Sequence, residues 1–188
     1  MKTQKIALAL ALFLSSGVIA QTEKFNSSTS TIVWVGEKIG GQHTGNIQLK
    51  EGNFEWKDGN IVSGEVVVDM TTITNTDLTD ATYNAKLVGH LKSDDFFSIE
   101  KHPTATFKVT KPAKIKNGKG TLTGVITIKG KSETISFDVN KTDNSYAIRL
   151  EIDRSKFDVR YGSDSFFDNL GDKVIDDIFT LEVTLITT

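Results

Sequence analysis

Apolar and polar residues alternate with a period of two along most of this chain, and that regularity points to strands with one wet face. "HTGNIQLK" sets Ile47 and Leu49 on one face, and "NFEWK" does the same for Phe54 and Trp56. "EVVVDM" aligns Val66, Val68 and Met70, and "TATFKVT" aligns Ala105, Phe107 and Val109. Further runs carry Leu122, Gly124, Ile126 and Ile128, then Ile135, Phe137 and Val139, then Ile148, Leu150 and Ile152. "STSTIVWVGEK" opens the series and "IFTLEVTLI" closes it, with Phe179, Leu181, Val183 and Leu185 in phase. Asp-Gly and Asn-Gly pairs within "KDGN" and "KNGKG" mark tight hairpin turns between runs. About eight such strands must close into a barrel or split into two packed sheets.

Two stretches break the meander, residues 73–103 and 153–173, and both exceed a simple hairpin loop. Within the first, Tyr83, Leu87 and Leu91 fall at i, i+4 and i+8, which predicts a helix over 78–92 with one apolar face. Residues 93–97 read as a second short turn with Ser93 or Asp94 as its N-cap. Pro103 then holds residue 102 extended and starts the next strand. This insertion is expected to lie across an open end of the sheet, with Phe96 or Phe97 turned inward. The aromatics of the second stretch, Phe157, Tyr161, Phe166 and Phe167, are expected over the other mouth.

The first twenty residues have a different character. Lys2 and Lys5 precede the apolar run 6–14, and small residues follow up to Ala20, the pattern of a secretory signal peptide cleaved after Ala20. The apolar run is too short to span a bilayer, which takes about 20 residues. The expected organisation is therefore a signal peptide at 1–20 and one β domain at 21–188, periplasmic or secreted. The chain has no cysteine, so no disulfide holds the exported fold and its core must suffice. Loss of Lys2 and Lys5 leaves 20 basic residues against 24 acidic, scattered and without a basic run, which argues against a nucleic-acid partner.

No catalytic pattern is present in the sequence. His43, His90 and His102 stand far apart, with no H-x-H or H-E-x-x-H spacing for a metal. There is no G-x-S-x-G elbow, and "GEKIGGQHTG" lacks phosphate-loop spacing. The expectation is a binding protein without cofactor or metal, and not an enzyme.

Five segments in order, "STIVWVGEKIGGQHTGNIQLKEG", "GEVVVDMTTITNTDL", "LVGHLKSDDFFSIEKHPTATF", "LTGVITIKG" and "RSKFDVRYGS", together resemble the YceI-like family of exported bacterial proteins. The G-x-W of true lipocalins is absent, since Trp34 follows Ile32-Val33. The resemblance implies an all-β, mainly antiparallel fold: an extended eight-stranded lipocalin-like barrel with a short helical insertion around 78–97. It also implies a long apolar ligand in the lumen, a polyisoprenoid, isoprenoid quinone or fatty-acyl amide, and no catalysis. On that reading the in-phase set forms the pocket wall: Trp34, Ile47, Leu49, Val66, Val68, Met70, Phe107, Val109, Leu122, Ile126, Phe137, Ile148 and Leu150. Leu87, Leu91, Phe96 and Phe97 form a lid, and Lys38 and His43 meet a polar head group. Gly45, Gly124 and Ala105 are expected to leave room inside. About 15 buried methylenes would contribute roughly 12 kcal/mol gross at about 0.8 kcal/mol each, less several kcal/mol for association and ordering. A lipid ligand brings transient contact with a membrane, and an edge strand at either terminus offers a homodimer contact. The alternative is a stress-related interaction module with a solid barrel and a protein partner, which requires an exposed apolar surface near 153–173.

Overall fold

Ten strands, one α-helix and three short 3-10 helices make up the computed structural model, which describes residues 20–188. The expected signal peptide falls outside the described residues but for Ala20. In chain order the strands are β1 (Gln21–Lys24), β2 (Thr31–Lys38), β3 (Gly41–Lys57), β4 (Asn60–Asp69), β5 (Thr104–Lys111), β6 (Ala113–Lys114), β7 (Lys119–Ile128), β8 (Lys131–Lys141), β9 (Ser145–Asp153) and β10 (Ile175–Ile186). Helix α1 (Ala81–Lys92) lies between β4 and β5. The hydrogen-bonded order β3-β2-β10-β9-β8-β7-β5-β4 returns to β3 through the β3–β4 pairing, so eight antiparallel strands close a barrel. Closure removes the unpaired edges that an open sheet would expose. The short strands β1 and β6 add to the long β3 and β4 outside this ring.

"HTGNIQLK" and "NFEWK" are one strand, not two. The β3–β4 register shifts between Leu49 and Glu51, and one extra residue moves the inward face from odd to even positions. Ile47 and Leu49 point in before the bulge and Phe54 after it. The Asp58-Gly59 and Asn117-Gly118 turns have positive φ at both residues, as the two-residue hairpins anticipated from "DG" and "NG" require.

The barrel's two ends differ. At the end that holds the β3–β4 and β8–β9 turns, the rings of Phe25, Phe54 and Tyr146 meet edge to face with centroids 5.0–5.6 Å apart. Glu23 accepts hydrogen bonds there from Trp56 Nε1 (2.7 Å) and the Tyr146 hydroxyl, and Lys141 Nζ lies 3.2 Å away. This plug, anchored by β1, seals one mouth.

Both long insertions lie at the opposite end, which corrects the expectation that they cover different mouths. His90 of α1 packs against Tyr161 at 4.3 Å, and the Arg154 guanidinium sits 5.6 Å over Phe96. Lys129, in the β7–β8 turn, donates to the carbonyls of Asp94 (3.1 Å) and Asp158 (2.9 Å), tying the insertions together. Buried Arg154 donates to the carbonyls of Val159, Tyr161, Ile175 and Asp176 and pairs with Asp177 at 3.3 Å, which staples the second insertion to β10.

Helix α1 starts at Ala81, capped by Asp80, which accepts from the amides of Thr82 and Tyr83. Leu91 is buried and Leu87 half-buried, but Tyr83 is 64% exposed and does not share their packing. Ser93 caps the C-terminus of α1 and is not an N-cap; its amide and hydroxyl both donate to His90 O. Asp94 instead accepts from Ser98 Oγ and from Lys101 Nζ at 2.6 Å.

Candidate ligand-binding cavity

All eight barrel strands contribute to one cavity of about 220 Å³, lined mainly by apolar side chains. It reaches from Phe54 and Leu185, beside the aromatic plug, to Lys38, His43 and Asp176 at the other end. Along β2 alone the wall runs from Ile32 to Lys38, six residue steps or about 20 Å. A volume below the usual range for compact small-molecule pockets, spread over that length, describes a thin channel. Its proportions suit one hydrocarbon chain better than a fused ring system.

Most residues expected on the wall are there: Trp34, Ile47, Val66, Val68, Met70, Phe107, Ile126, Phe137, Ile148 and Leu150. The lid set of Leu87, Leu91, Phe96 and Phe97 also lines the cavity, and Lys38 and His43 stand at its mouth. Leu49, Val109 and Leu122 do not reach it. They share the inward phase but pack into the hydrophobic core. The omitted wall residues include Ile32, Ile73, Ile135, Phe179, Leu181 and Val183. Ile135, Phe179, Leu181 and Val183 carried the same period-two signal as the chosen set; Ile73 lies beyond the end of a strand and had none.

The two glycines provide no room. A Cβ on Gly124 would lie 2.6 Å from the Phe107 ring and 2.2 Å from Lys108 O, so the ring already fills that space. A Cβ on Gly45 would lie 1.8 Å from Thr74 O and 2.7 Å from Trp34 Nε1. Of the three small residues, only Ala105 lines the cavity.

The crowding at Gly45 explains why "HTG" and "TNTD" occur in one chain. After β4, residues 73–77 cross the mouth-end half of β3. Thr74 N donates to Asn46 O, and Thr76 N donates to Thr44 O, both at 2.9 Å. Trp34 Nε1 donates to Thr74 O at 3.0 Å, so the indole on the cavity wall is fixed by this segment. Asn75, buried, donates to Thr44 O and accepts from Leu78 N and Asn84 Nδ2. Asp77 Oδ1 accepts from Thr44 N at 2.8 Å and from Asn75 Nδ2, while Oδ2 meets His43 Nδ1 at 2.8 Å. Partial burial alone would raise the Asp77 carboxyl, but the hydrogen bonds from Thr44 N–H, His43 and Asn75 outweigh it and hold the group below the ordinary carboxylate value.

The YceI-like domain model matches residues 24–186, nearly the whole described barrel. The chain belongs to the YceI-like domain family. Among solved structures, this YceI-like chain is similar to Burkholderia cenocepacia BcnA, with a TM-score of 0.65, 24% identity, and coverage of 87% of this chain and 99% of the other. A polyisoprenoid binding domain from Saccharophagus degradans gives a TM-score of 0.59 at 14% identity, covering 88% and 97%. The Campylobacter jejuni YceI protein gives 0.50 at 20% identity, covering 98% and 94%. At these identities the likeness is one of fold. The UPF0312 protein VPA0850 of Vibrio parahaemolyticus is 31% identical over 96 residues, 50% of this chain and 47% of that protein. The chain thus aligns with about half the length of that relative.

Proposed function

We propose that this protein is exported and holds one long apolar molecule in its lumen, a polyisoprenoid, isoprenoid quinone or fatty-acyl amide, for transport, storage or sequestration. The observation that carries the reading is the thin apolar channel with a sealed floor and a mouth covered by α1 and the Phe96-Phe97 turn. Its gain is burial of methylenes, at about 0.8 kcal/mol each. The fold shared with a polyisoprenoid binding domain supports the same ligand class.

The outer surface supports transient contact with a membrane. Among the described residues, the six large apolar side chains that stand exposed all lie at the mouth end: Ile39, Tyr83, Tyr161, Phe166, Phe167 and Ile178. A ligand passing between bilayer and lumen would cross this rim without its chain meeting water. Any homodimer by strand addition would use β1 or β6, the strands left at the ends of the sheet order.

The test is to purify the protein from a membrane-containing host, extract it with organic solvent, and compare mass spectrometry of the extract with native mass spectrometry. A stoichiometric isoprenoid or acyl species is the expected result. An empty protein that also refuses added lipids would overturn the lumen reading and favour a protein partner at the exposed aromatics.

A further inference from the structure

At the mouth of an otherwise apolar channel, one imidazole is held by a fully committed carboxylate. Asp77 spends Oδ1 on Thr44 N–H and Asn75 Nδ2, and Oδ2 on His43 Nδ1. A carboxylate on Nδ1 fixes the proton there and leaves Nε2 of neutral imidazole as an acceptor. His43 lines the cavity mouth and Asp77 does not; with Nδ1 engaged by Asp77, Nε2 is the ring nitrogen left for a group in the lumen. No described group hydrogen-bonds that nitrogen.

The other polar groups at the mouth are differently placed. Arg154 is occupied by four carbonyls and Asp177. Glu37 and Lys38 are exposed neighbours of opposite charge, and Asp176, a carboxylate with no tautomer to fix, accepts from Ile178 N through Oδ1. His90 packs against Phe96 and Tyr161, with no carboxylate to set its tautomer. Only His43 combines a fixed tautomer with a free acceptor on the wall.

We propose that His43 Nε2 accepts a hydrogen bond from the head of the bound molecule, so that the protein prefers apolar chains ending in a hydroxyl, an alcohol or a hydroquinone, over capped analogues. This rests on the lumen reading above and adds a head-group rule to it. Asp77 is the positioning residue. In Asp77→Asn the amide oxygen must stay on Thr44 N–H and Asn75 Nδ2, which turns its NH₂ toward Nδ1 and moves the imidazole proton to Nε2. His43 then donates where it accepted.

The experiment titrates delipidated full-length mature protein with geranylgeraniol and with its methyl ether, which differ by one O–H. Wild type should bind the alcohol roughly fivefold tighter, the worth of one neutral hydrogen bond. His43→Phe should bind both probes equally. Asp77→Asn should tighten the ether and bring the ratio near one, an effect that general loosening of the mouth would not produce. Equal binding of both probes by wild type, or an alcohol preference that survives in His43→Phe, overturns the proposal. If wild type binds neither probe, the lumen reading itself falls and this inference with it.

Discussion

Replacing Gly45 with alanine tests whether the 73–77 segment is clamped against β3 as described. The added Cβ would sit 1.8 Å from Thr74 O, where an ordinary carbon–oxygen contact is about 3.3 Å or more. The segment must therefore retreat by roughly 1.5 Å. Among the hydrogen bonds that hold it, three involve the Thr74 and Thr76 backbone directly: Thr74 N to Asn46 O, Thr76 N to Thr44 O, and Trp34 Nε1 to Thr74 O. At about 1 kcal/mol net each, loss of the first two costs about 2 kcal/mol. Stranding the largely buried Trp34 indole N–H adds about 1–3 kcal/mol. The expected destabilisation of about 3–5 kcal/mol is a large part of the 5–15 kcal/mol typical of a domain. Urea unfolding followed by tryptophan fluorescence measures it. Gly36→Ala on the neighbouring strand is the control, because its Cβ would meet nothing closer than Trp34 Cζ3 at 3.9 Å. A Gly45→Ala protein within about 1 kcal/mol of wild type, at unchanged m-value, would refute the clamp and with it the reason for glycine there.

Ala105→Phe fills the lumen from its wall, and should abolish uptake of a fluorescent fatty-acyl probe while urea stability stays within about 2 kcal/mol of wild type. The Asp77 carboxyl titrates below its unfolded value, so its stabilisation is complete above that value and fades as pH falls through the native one. The stability gap between wild type and Asp77→Ala, measured by thermal melts from pH 7 to pH 2, should therefore shrink at the acid end. A gap that is constant with pH would contradict the sign. Phe166→Ser with Phe167→Ser should weaken co-sedimentation with neutral phosphatidylcholine vesicles severalfold and leave binding of dispersed probe unchanged.

Local signals in the sequence carried the strands and the hairpins. Period-two runs such as 122–128 specify which side chains share a face, and "DG" at 58–59 specifies its turn, because both depend on the backbone of a few neighbouring residues. The helix was legible with its start three residues early, since the Asp80 cap outcompetes the apolar spacing as a starting point. β1 was not legible: four residues without alternation become a strand only because the bulged second half of β3 offers an edge.

The candidate site was legible as a face and not as a cavity. Leu49, Leu122 and Ile126 share one inward phase, yet only Ile126 borders the channel. Whether an inward side chain meets space or a neighbour depends on what arrives from across the barrel, and such contacts join residues far apart in sequence. The same holds for Gly45 and Gly124, whose missing side chains were read as empty volume but are occupied by Thr74 with Trp34, and by Phe107. That both insertions share one mouth follows from chain direction: each leaves the barrel where β4 and β9 end, and every second turn of an antiparallel barrel lies at the same end. Forces acting over a few residues specified an antiparallel β domain, one apolar face on each strand, and its hairpin turns. Barrel closure, with β1 and the 73–77 segment packed against it, fixed which apolar residues border the channel, which end is sealed, and that His43 and Asp77 meet at the open one, because these contacts join residues far apart in the chain.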